Sequence, residues 1–259
     1  QGRAVRVPGE GSRRVARGGD GVHQLSRGRV PDVQLAPFTH GKGLALAFCD
    51  YDDDGRLDFY LGNDGTPSDL LHNVGGFRFR NVGVETGAAF GTMSQPTAAM
   101  GADWGDFDRD GKFDLAVSAF SNEEYSLLRQ DGGMFAPITA QAGMGLATFK
   151  PLGFGTHFLD ADNDGRLDLH FTNGHVYDNV SLLDPSSTYA QPMMLFHQTV
   201  DGKVVDVAPS AGPGFADPLV GRGSAVGDYD NDGRQDLLVV DLEGRLRLYR
   251  NETANQHHW

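Results

Sequence analysis

The sequence predicts an all-β fold, a partial β-propeller of about four four-stranded antiparallel blades. Three observations carry this prediction. One acidic loop recurs four times along the 259 residues, short apolar runs flank every copy, and the chain holds 36 Gly and 12 Pro. Many short apolar runs with abundant glycine are typical of strands and turns rather than of long helices.

The recurring loop has the pattern D-x-D-x-D-G-x-x-D. Its four copies align without gaps: DYDDDGRLD (50–58), DFDRDGKFD (106–114), DADNDGRLD (160–168) and DYDNDGRQD (228–236). The copies begin roughly 55 to 70 residues apart, which suits a four-stranded propeller blade and is long for an α-solenoid repeat.

Each loop is predicted to join two strands. The runs before the loops are GLALAFC, MGADWG, FGTHFL and GSAVG, and the runs after them are FYLGN, LAVSA, LHFTN and LLVVD. Three repeats continue with a weaker hairpin: 69–73 with 77–82, 125–130 with 134–139, and 194–200 with 204–208. Runs of this length, rich in Val, Phe, Leu and Tyr and separated by Gly-containing turns, indicate strands and hairpins. One repeat therefore reads strand, acidic loop, strand, strand, turn, strand.

The repeats divide the chain into blades at about 41–96, 97–149, 150–219 and 220–259. The fourth is cut short, because only RLRLYRN (245–251) follows its second strand. The third is longer by residues 179–192, which we interpret as a surface loop. Residues 1–30 carry seven Arg against Glu10 and Asp20 and show no strand alternation. They are interpreted as a basic arm that is disordered, artefactual through misassembly, or functional.

Each acidic loop is predicted to bind calcium. Ca²⁺ prefers six to eight hard oxygen ligands, and a tight loop turns the side chains at positions 1, 3 and 5 towards one point. Gly at position 6 allows the sharp turn, the position-7 residue contributes its backbone carbonyl only, and Asp at position 9 closes the shell. The predicted metal-site residues are Asp50, Asp52, Asp54, Arg56, Asp58; Asp106, Asp108, Asp110, Lys112, Asp114; Asp160, Asp162, Asp164, Arg166, Asp168; and Asp228, Asp230, Asp232, Arg234, Asp236.

Other interpretations of the loops fit less well. Polar turns also use Asp, Asn and Gly, but four copies with Asp at positions 1, 3, 5 and 9 argue against chance. An EF-hand needs helical flanks and a bidentate Glu at position 12, where this chain has Leu61, Val117, Phe171 and Val239. Magnesium keeps its waters and wants fewer carboxylates.

Composition excludes several classes of partner. The net charge of −13 argues against nucleic acid, whose phosphates are neutralised by Lys and Arg. No apolar run is long enough to span a membrane. The one cysteine, Cys49, is expected to be a small buried apolar residue, and no recognised catalytic motif is present.

Three histidines in the third repeat lie outside the loop. His157 and His170 are predicted to face each other across the hairpin, where the other repeats have Ala47/Tyr60, Asp103/Ala116 and Ala225/Leu238. With His175 they could bind a transition metal or another ligand. A cross-strand polar pair is the alternative.

The repeats resemble the FG-GAP/VCBS group over residues 41–259, in segments such as KGLALAFCDYDDDGRLDFYLGND and AAMGADWGDFDRDGKFDLAVSAF. Within this group, the chain is similar to bacterial ASPIC/UnbV (cartilage acidic protein-like) proteins. In those proteins a junction links the propeller to the ASPIC/UnbV domain, and Asn251–Trp259 resembles the beginning of that junction. The resemblance implies an integrin-like propeller of about seven blades, of which this chain would hold the last four, truncated before the ASPIC/UnbV domain. Four blades leave two exposed sheet edges, unless upstream blades or residues 31–40 cover them.

The functional expectation is a non-enzymatic, calcium-binding extracellular module, holding about four Ca²⁺ ions, for adhesion to or interaction with an unidentified protein or glycan. The resemblance implies an extracellular, periplasmic or cell-surface location. One alternative is the scaffold of a carbohydrate-active enzyme resembling polysaccharide lyases, and another is a purely structural scaffold for a following domain.

Overall fold

The computed structural model describes residues 34–35, for which only the backbone is considered, and residues 41–254. The basic arm predicted for residues 1–30 lies outside the described residues. Among those described, no helix has the length and hydropathy that a membrane crossing requires.

The chain forms four sheets, antiparallel apart from one short parallel pair at the edge of the first, that follow one another as the blades of a propeller. Blade one contains β1 (Gln34–Leu35), β2 (Gly43–Cys49), β3 (Asp58–Asn63), β4 (Asp69–Gly75) and β5 (Arg78–Asn81); blade two contains β6 (Ala99–Gly105), β7 (Asp114–Ala119), β8 (Ser126–Asp131) and β9 (Met134–Pro137). Blade three contains β10 (Gly153–Leu159), β11 (Asp168–Asn173), β12 (Met194–Gln198) and β13 (Val204–Asp206); blade four contains β14 (Gly221–Gly227), β15 (Asp236–Asp241) and β16 (Leu246–Tyr249).

This architecture confirms the predicted all-β propeller fold. The first strands of the blades, β2, β6, β10 and β14, pack side by side in chain order. The fourth sheet has three strands among the described residues, as its short repeat predicts. At the outer edge of blade one, β1 pairs in parallel with β5, Gln34 opposite Arg78 and Leu35 opposite Phe79, so residues 34–35 cover that edge.

The connections contain short helical turns that the sequence did not predict. They are α1 (Gly83–Thr86), α2 (Thr139–Ala142), α3 (Gly145–Thr148), α4 (Val180–Leu183) and a 3₁₀ turn at Ala208–Ser210. The first two end at Gly87 and Gly143, whose left-handed backbones (φ 86° and 83°) stop the turn. The predicted surface loop at 179–192 contains α4.

The core consists of three layers, each between neighbouring blades. Tyr51, Trp104 and Phe135 pack together between blades one and two, with Tyr51 and Trp104 rings stacked at 6.5 Å. Phe107 and Phe158 meet at 6.4 Å between blades two and three. Cys49 is buried in the first layer, as predicted, and burial raises the pKa of its thiol to about 12.

The layer between blades three and four is incompletely filled. Position 2 of the loop is an aromatic residue in blades one and two, Tyr51 and Phe107, but Ala161 in blade three. Two residues before the loop, blades two and three have Trp104 and Phe158, whereas blade four has the smaller Val226. A cavity of about 730 Å³ opens there, lined by Ala161 together with Leu195, Phe215 and Tyr249 among others.

Candidate metal centres

The four acidic loops share one backbone conformation. Gly at position 6 has φ between 81° and 88° in every loop (Gly55, Gly111, Gly165, Gly233), as the sequence predicts. Position 4 also lies in the left-handed region, with φ between 55° and 60° at Asp53, Arg109, Asn163 and Asn231. Asp and Asn tolerate this region better than most residues, and three of these four positions have one of them.

The position-1 carboxylate is held by the backbone of its own loop. In loop three, Asp160 Oδ1 and Oδ2 accept hydrogen bonds from the amides of Asp164 (2.9 Å) and Gly165 (2.8 Å). Loops one and four repeat both bonds, and loop two keeps the bond from Gly111 to Asp106 (3.1 Å). These bonds orient the position-1 carboxylate into the loop.

The position-5 carboxylate is held by the residue at position 7. Asp164 Oδ1 accepts the Arg166 amide at 2.9 Å, and the Arg166 side chain forms an ion pair with the other oxygen. The equivalent pairs are Arg56 with Asp54, Lys112 with Asp110 and Arg234 with Asp232. The sequence predicted a backbone role only at position 7, so the side-chain contact is an addition from the structure.

The position-9 carboxylate is almost completely buried and joins three segments of a blade. In blade two, Asp114 accepts hydrogen bonds from the amides of Phe107 (3.0 Å) in the loop and Gln130 (2.8 Å) at the end of the third strand. The same two bonds recur at Asp58, Asp168 and Asp236. Burial raises the pKa of Asp114 and of Asp168 to about 6, because neither carboxylate is well hydrated.

The predicted residues converge. In loops one and three the oxygens of positions 1, 3 and 5 lie within 4.8 Å of one another (Asp50, Asp52, Asp54; Asp160, Asp162, Asp164), and in loop two Asp106, Asp108 and Asp114 do so. Loop four has the same internal hydrogen bonds. Asp106 Oδ1 is buried and accepts no hydrogen bond, so it has a lone pair free for an ion. These clusters can hold metal ions, and carboxylate oxygens fit a hard divalent cation such as calcium.

Two histidines that sequence reasoning missed complete two of these clusters. His72 groups with Asp52 and Asp58, and His197 groups with Asp162 and Asp168. A signal was available, since the two histidines occupy the same position when the repeats are aligned, directly before Asn73 and Gln198 at the ends of the third strands.

The paired histidines of blade three, His157 and His170, are held by packing and hydrogen bonds within the sheet. His157 and His170 face each other across the hairpin as predicted, with parallel rings 6.5 Å apart. His170 is fully buried, its Nδ1 3.0 Å from Met194 O and its Nε2 2.9 Å from Thr172 Oγ1, and burial lowers its pKa to about 3. Because both nitrogens of His170 have partners, the geometry favours the cross-strand pair over the transition-metal site. His175 packs against Phe120 and Tyr177.

Comparison with known proteins agrees with the repeat pattern. The family model for the FG-GAP-like repeat matches residues 50–117 and 106–171. Cartilage acidic protein 1 of Mus musculus is 24% identical over 261 aligned residues, which cover 86% of this chain and 35% of that protein. Cartilage acidic protein 1 of Homo sapiens is 44% identical over 59 residues, 22% of this chain and 9% of that protein. The chain thus spans about a third of the length of the mouse relative.

Proposed function

Since the chain carries FG-GAP-like repeats folded as propeller blades, we propose that it is a calcium-binding extracellular module that presents a surface to a partner and has no catalytic activity of its own. About four Ca²⁺ ions, one per loop, stiffen the blades. The module works outside the cytosol, in an extracellular, periplasmic or cell-surface setting, where calcium is abundant enough to fill sites with dissociation constants of roughly 10⁻⁴ to 10⁻³ M.

One observation supports this proposal above the others: the same carboxylate cradle is built four times. Position 1 is fixed by loop amides, position 5 by the position-7 residue, and position 9 by amides of the loop and of the third strand. Several carboxylates within a few ångströms repel one another in the absence of an ion. A divalent cation removes that repulsion and ties the first three strands of a blade to one point.

The partner surface proposed here lies at the end of the blades opposite the metal loops. The connections that carry α3 and α4 meet there, because Lys150 Nζ lies 3.3 Å from Asp184 Oδ2. Leu146 in α3 is 93% exposed, and Leu182 and Leu183 in α4 are 82% and 74% exposed. Exposed apolar side chains on connections that meet are typical of interaction sites. Aliphatic side chains favour a protein partner over a glycan.

Calcium uptake is tested on the metal-free full chain by calorimetric titration. We expect four ions, and we expect Asp108→Ala and Asp162→Ala each to remove one of them. Asp217→Ala is the matched control, because Asp217 is an exposed acid outside the loops. A chain that takes up no calcium, or an Asp217 variant that loses an ion, would contradict the proposal.

Partner binding is tested with arrays of extracellular proteins and glycans in calcium and in EDTA. Leu182→Ser with Leu183→Ser should weaken binding without changing the melting temperature, whereas Val200→Ser, an exposed apolar position in blade three, should leave binding unchanged. If the paired variant binds as well as the parent, the surface is misplaced.

The alternative, a carbohydrate-active scaffold, has less support. It needs titratable side chains outside the metal loops converging on one point, and His170 is buried with both nitrogens bonded. Incubation with acidic polysaccharides, followed by detection of unsaturated products, decides between the two functions. Product release that depends on His157 would establish the enzyme and end the binding-module proposal.

A further inference from the structure

One residue position beside the metal loop alternates between histidine and arginine along the four blades. It lies on the third strand, directly before the residue whose amide bonds the position-9 carboxylate. It is His72 in blade one, Arg129 in blade two, His197 in blade three and Arg250 in blade four. The four loops therefore share their aspartates but not the side chain above them.

In blades one and three an imidazole nitrogen points at two carboxylates of the loop. His72 Nδ1 lies 3.3 Å from Asp52 Oδ2 and 3.4 Å from Asp58 Oδ1. His197 Nδ1 lies 3.2 Å from Asp168 Oδ1 and 3.8 Å from Asp162 Oδ2. These spacings are close to those between neighbouring donor atoms around a bound ion. The Nδ1 of His72 is buried and makes no hydrogen bond.

In blade four the same position holds a cation instead of a donor. Arg250 Nε lies 2.8 Å from Asp230 Oδ2, and its Nη2 lies 3.2 Å from Asp232 Oδ2. In blade two the same position is Arg129. A guanidinium has no lone pair to offer an ion, so loops two and four present oxygen donors only.

We propose that loops one and three are mixed imidazole–carboxylate sites that bind a divalent transition metal, such as Zn²⁺ or Mn²⁺, in competition with calcium, while loops two and four accept calcium only. Calcium gains little from a nitrogen ligand because it prefers hard oxygen donors. Imidazole with carboxylates suits first-row divalent metals. The inference rests on the proposed metal binding of the loops and adds a second class of ion for two of them.

Solvent and small ligands can reach the site in loop three. Asp162, Asp168 and His197 line the cavity of about 730 Å³ between blades three and four. An ion held by these three side chains would face the cavity.

Zinc titration of the metal-free full chain tests the proposal. His72→Gln and His197→Gln should each remove one tight zinc equivalent, weakening that site by at least the roughly tenfold that loss of a residue supporting a metal ligand already costs. Arg129→Gln and Arg250→Gln are the matched controls at the equivalent positions and should keep both equivalents. In ¹⁵N spectra of the parent, the Nδ1 signals of His72 and His197 should shift on zinc addition.

Calcium titration of the same variants separates this inference from the proposed function. The His variants should still bind four calcium ions, which also shows that they are folded. Parent protein that binds four calcium ions but gives a zinc isotherm unchanged by the double His variant, or Nδ1 signals unmoved by zinc, would overturn the mixed-site proposal and leave the calcium proposal standing.

Discussion

The position-9 aspartate of each loop serves the fold as well as the ion. Asp114 is buried, and its two oxygens accept amides from segments that are far apart in the blade. Asp108, at position 3 of the same loop, is exposed and accepts one exposed amide, that of Asp110. Replacing Asp114 should therefore lower the free energy of unfolding more than replacing Asp108.

We expect Asp114→Ala to lower the free energy of unfolding by about 3 kcal/mol even in EDTA, because two buried amides lose their acceptor. Asp108→Ala should cost less than about 1 kcal/mol in EDTA and should instead lose calcium. Urea denaturation of both variants, with and without calcium, measures the difference. Equal losses in EDTA would show that Asp114 has no structural role of its own.

His170 should make the protein sensitive to acid. Burial lowers its pKa to about 3, against about 6.5 in an unfolded chain. Between these values the unfolded state binds the proton and the folded state does not, so stability falls as the pH drops below about 6.5. At pH 5 the loss from this residue is about 2 kcal/mol.

Denaturation from pH 7.5 to 5 in saturating calcium measures this effect. His170→Gln keeps a polar side chain without the titration, so its stability should fall less over the same pH range. Val200→Ser, at an exposed position without a titratable group, is the control and should keep the pH dependence of the parent. A His170 variant with the pH dependence of the parent would contradict the assignment.

At the scale of elements, neighbouring blades are joined by a recurring hydrogen bond from a side-chain amide to a backbone carbonyl. Gln130 of blade two donates from Nε2 to Tyr51 O in loop one (2.8 Å), and Gln198 of blade three does the same to Phe107 O (2.8 Å). Asn251 of blade four donates to Ala161 O (2.7 Å). The end of each third strand thus binds the metal loop of the preceding blade.

Gln130→Ala should therefore cost about 1 to 2 kcal/mol, since the buried Tyr51 carbonyl loses its donor. Asn73, the equivalent residue of blade one, bonds within its own blade to Leu57 O and to the Gly75 amide. Asn73→Ala should cost less, because water can replace the lost partner at the exposed Leu57 carbonyl. Thermal melts of the two variants compare them. If Asn73→Ala is as costly as Gln130→Ala, the bond between blades contributes nothing particular.

The strands and the metal loops could be predicted from sequence, while their surroundings could not. Runs such as GLALAFC have the same bounds in the structure as β2 (Gly43–Cys49), because a short apolar run that ends at an Asp-rich loop marks a strand. Which face of β2 is buried was not visible in the letters, since the small residues are buried and Leu44, Leu46 and Phe48 are exposed. Four-residue turns such as α1 are too short for a helical period to show. His72 and His197 lie 14 and 29 residues after the position-9 aspartates they approach, Asp58 and Asp168, so only strand register brings them together.

At the scale of the whole molecule, blades one and four each have an exposed apolar face. Leu44, Leu46 and Phe48 of β2 are exposed, as are Leu246 and Leu248 of β16. The parallel pairing of β1 with β5 was expected only as partial cover by residues 31–40, since nothing in a two-residue strand specifies its partner. Pairing between strands so far apart in the sequence is set by the tertiary fold and not by the local sequence pattern.

One larger side chain should fill part of the cavity between blades three and four and stabilise the protein. Ala161→Phe restores the aromatic side chain found at this loop position in the first two blades and should raise the free energy of unfolding by about 0.5 to 2 kcal/mol. Ala161→Ser, which fills little space, is the control. A lower melting temperature for the Phe variant would show that the cavity is not a packing defect.

We propose that sixteen aspartates in four turns gather around divalent ions and thereby fix the strand pairs next to them. Calorimetric melting of the full chain in millimolar calcium and in EDTA tests it most directly. We expect a single transition that moves to a lower temperature by many degrees when calcium is removed and returns when calcium is restored. An identical melting temperature in both conditions would contradict it.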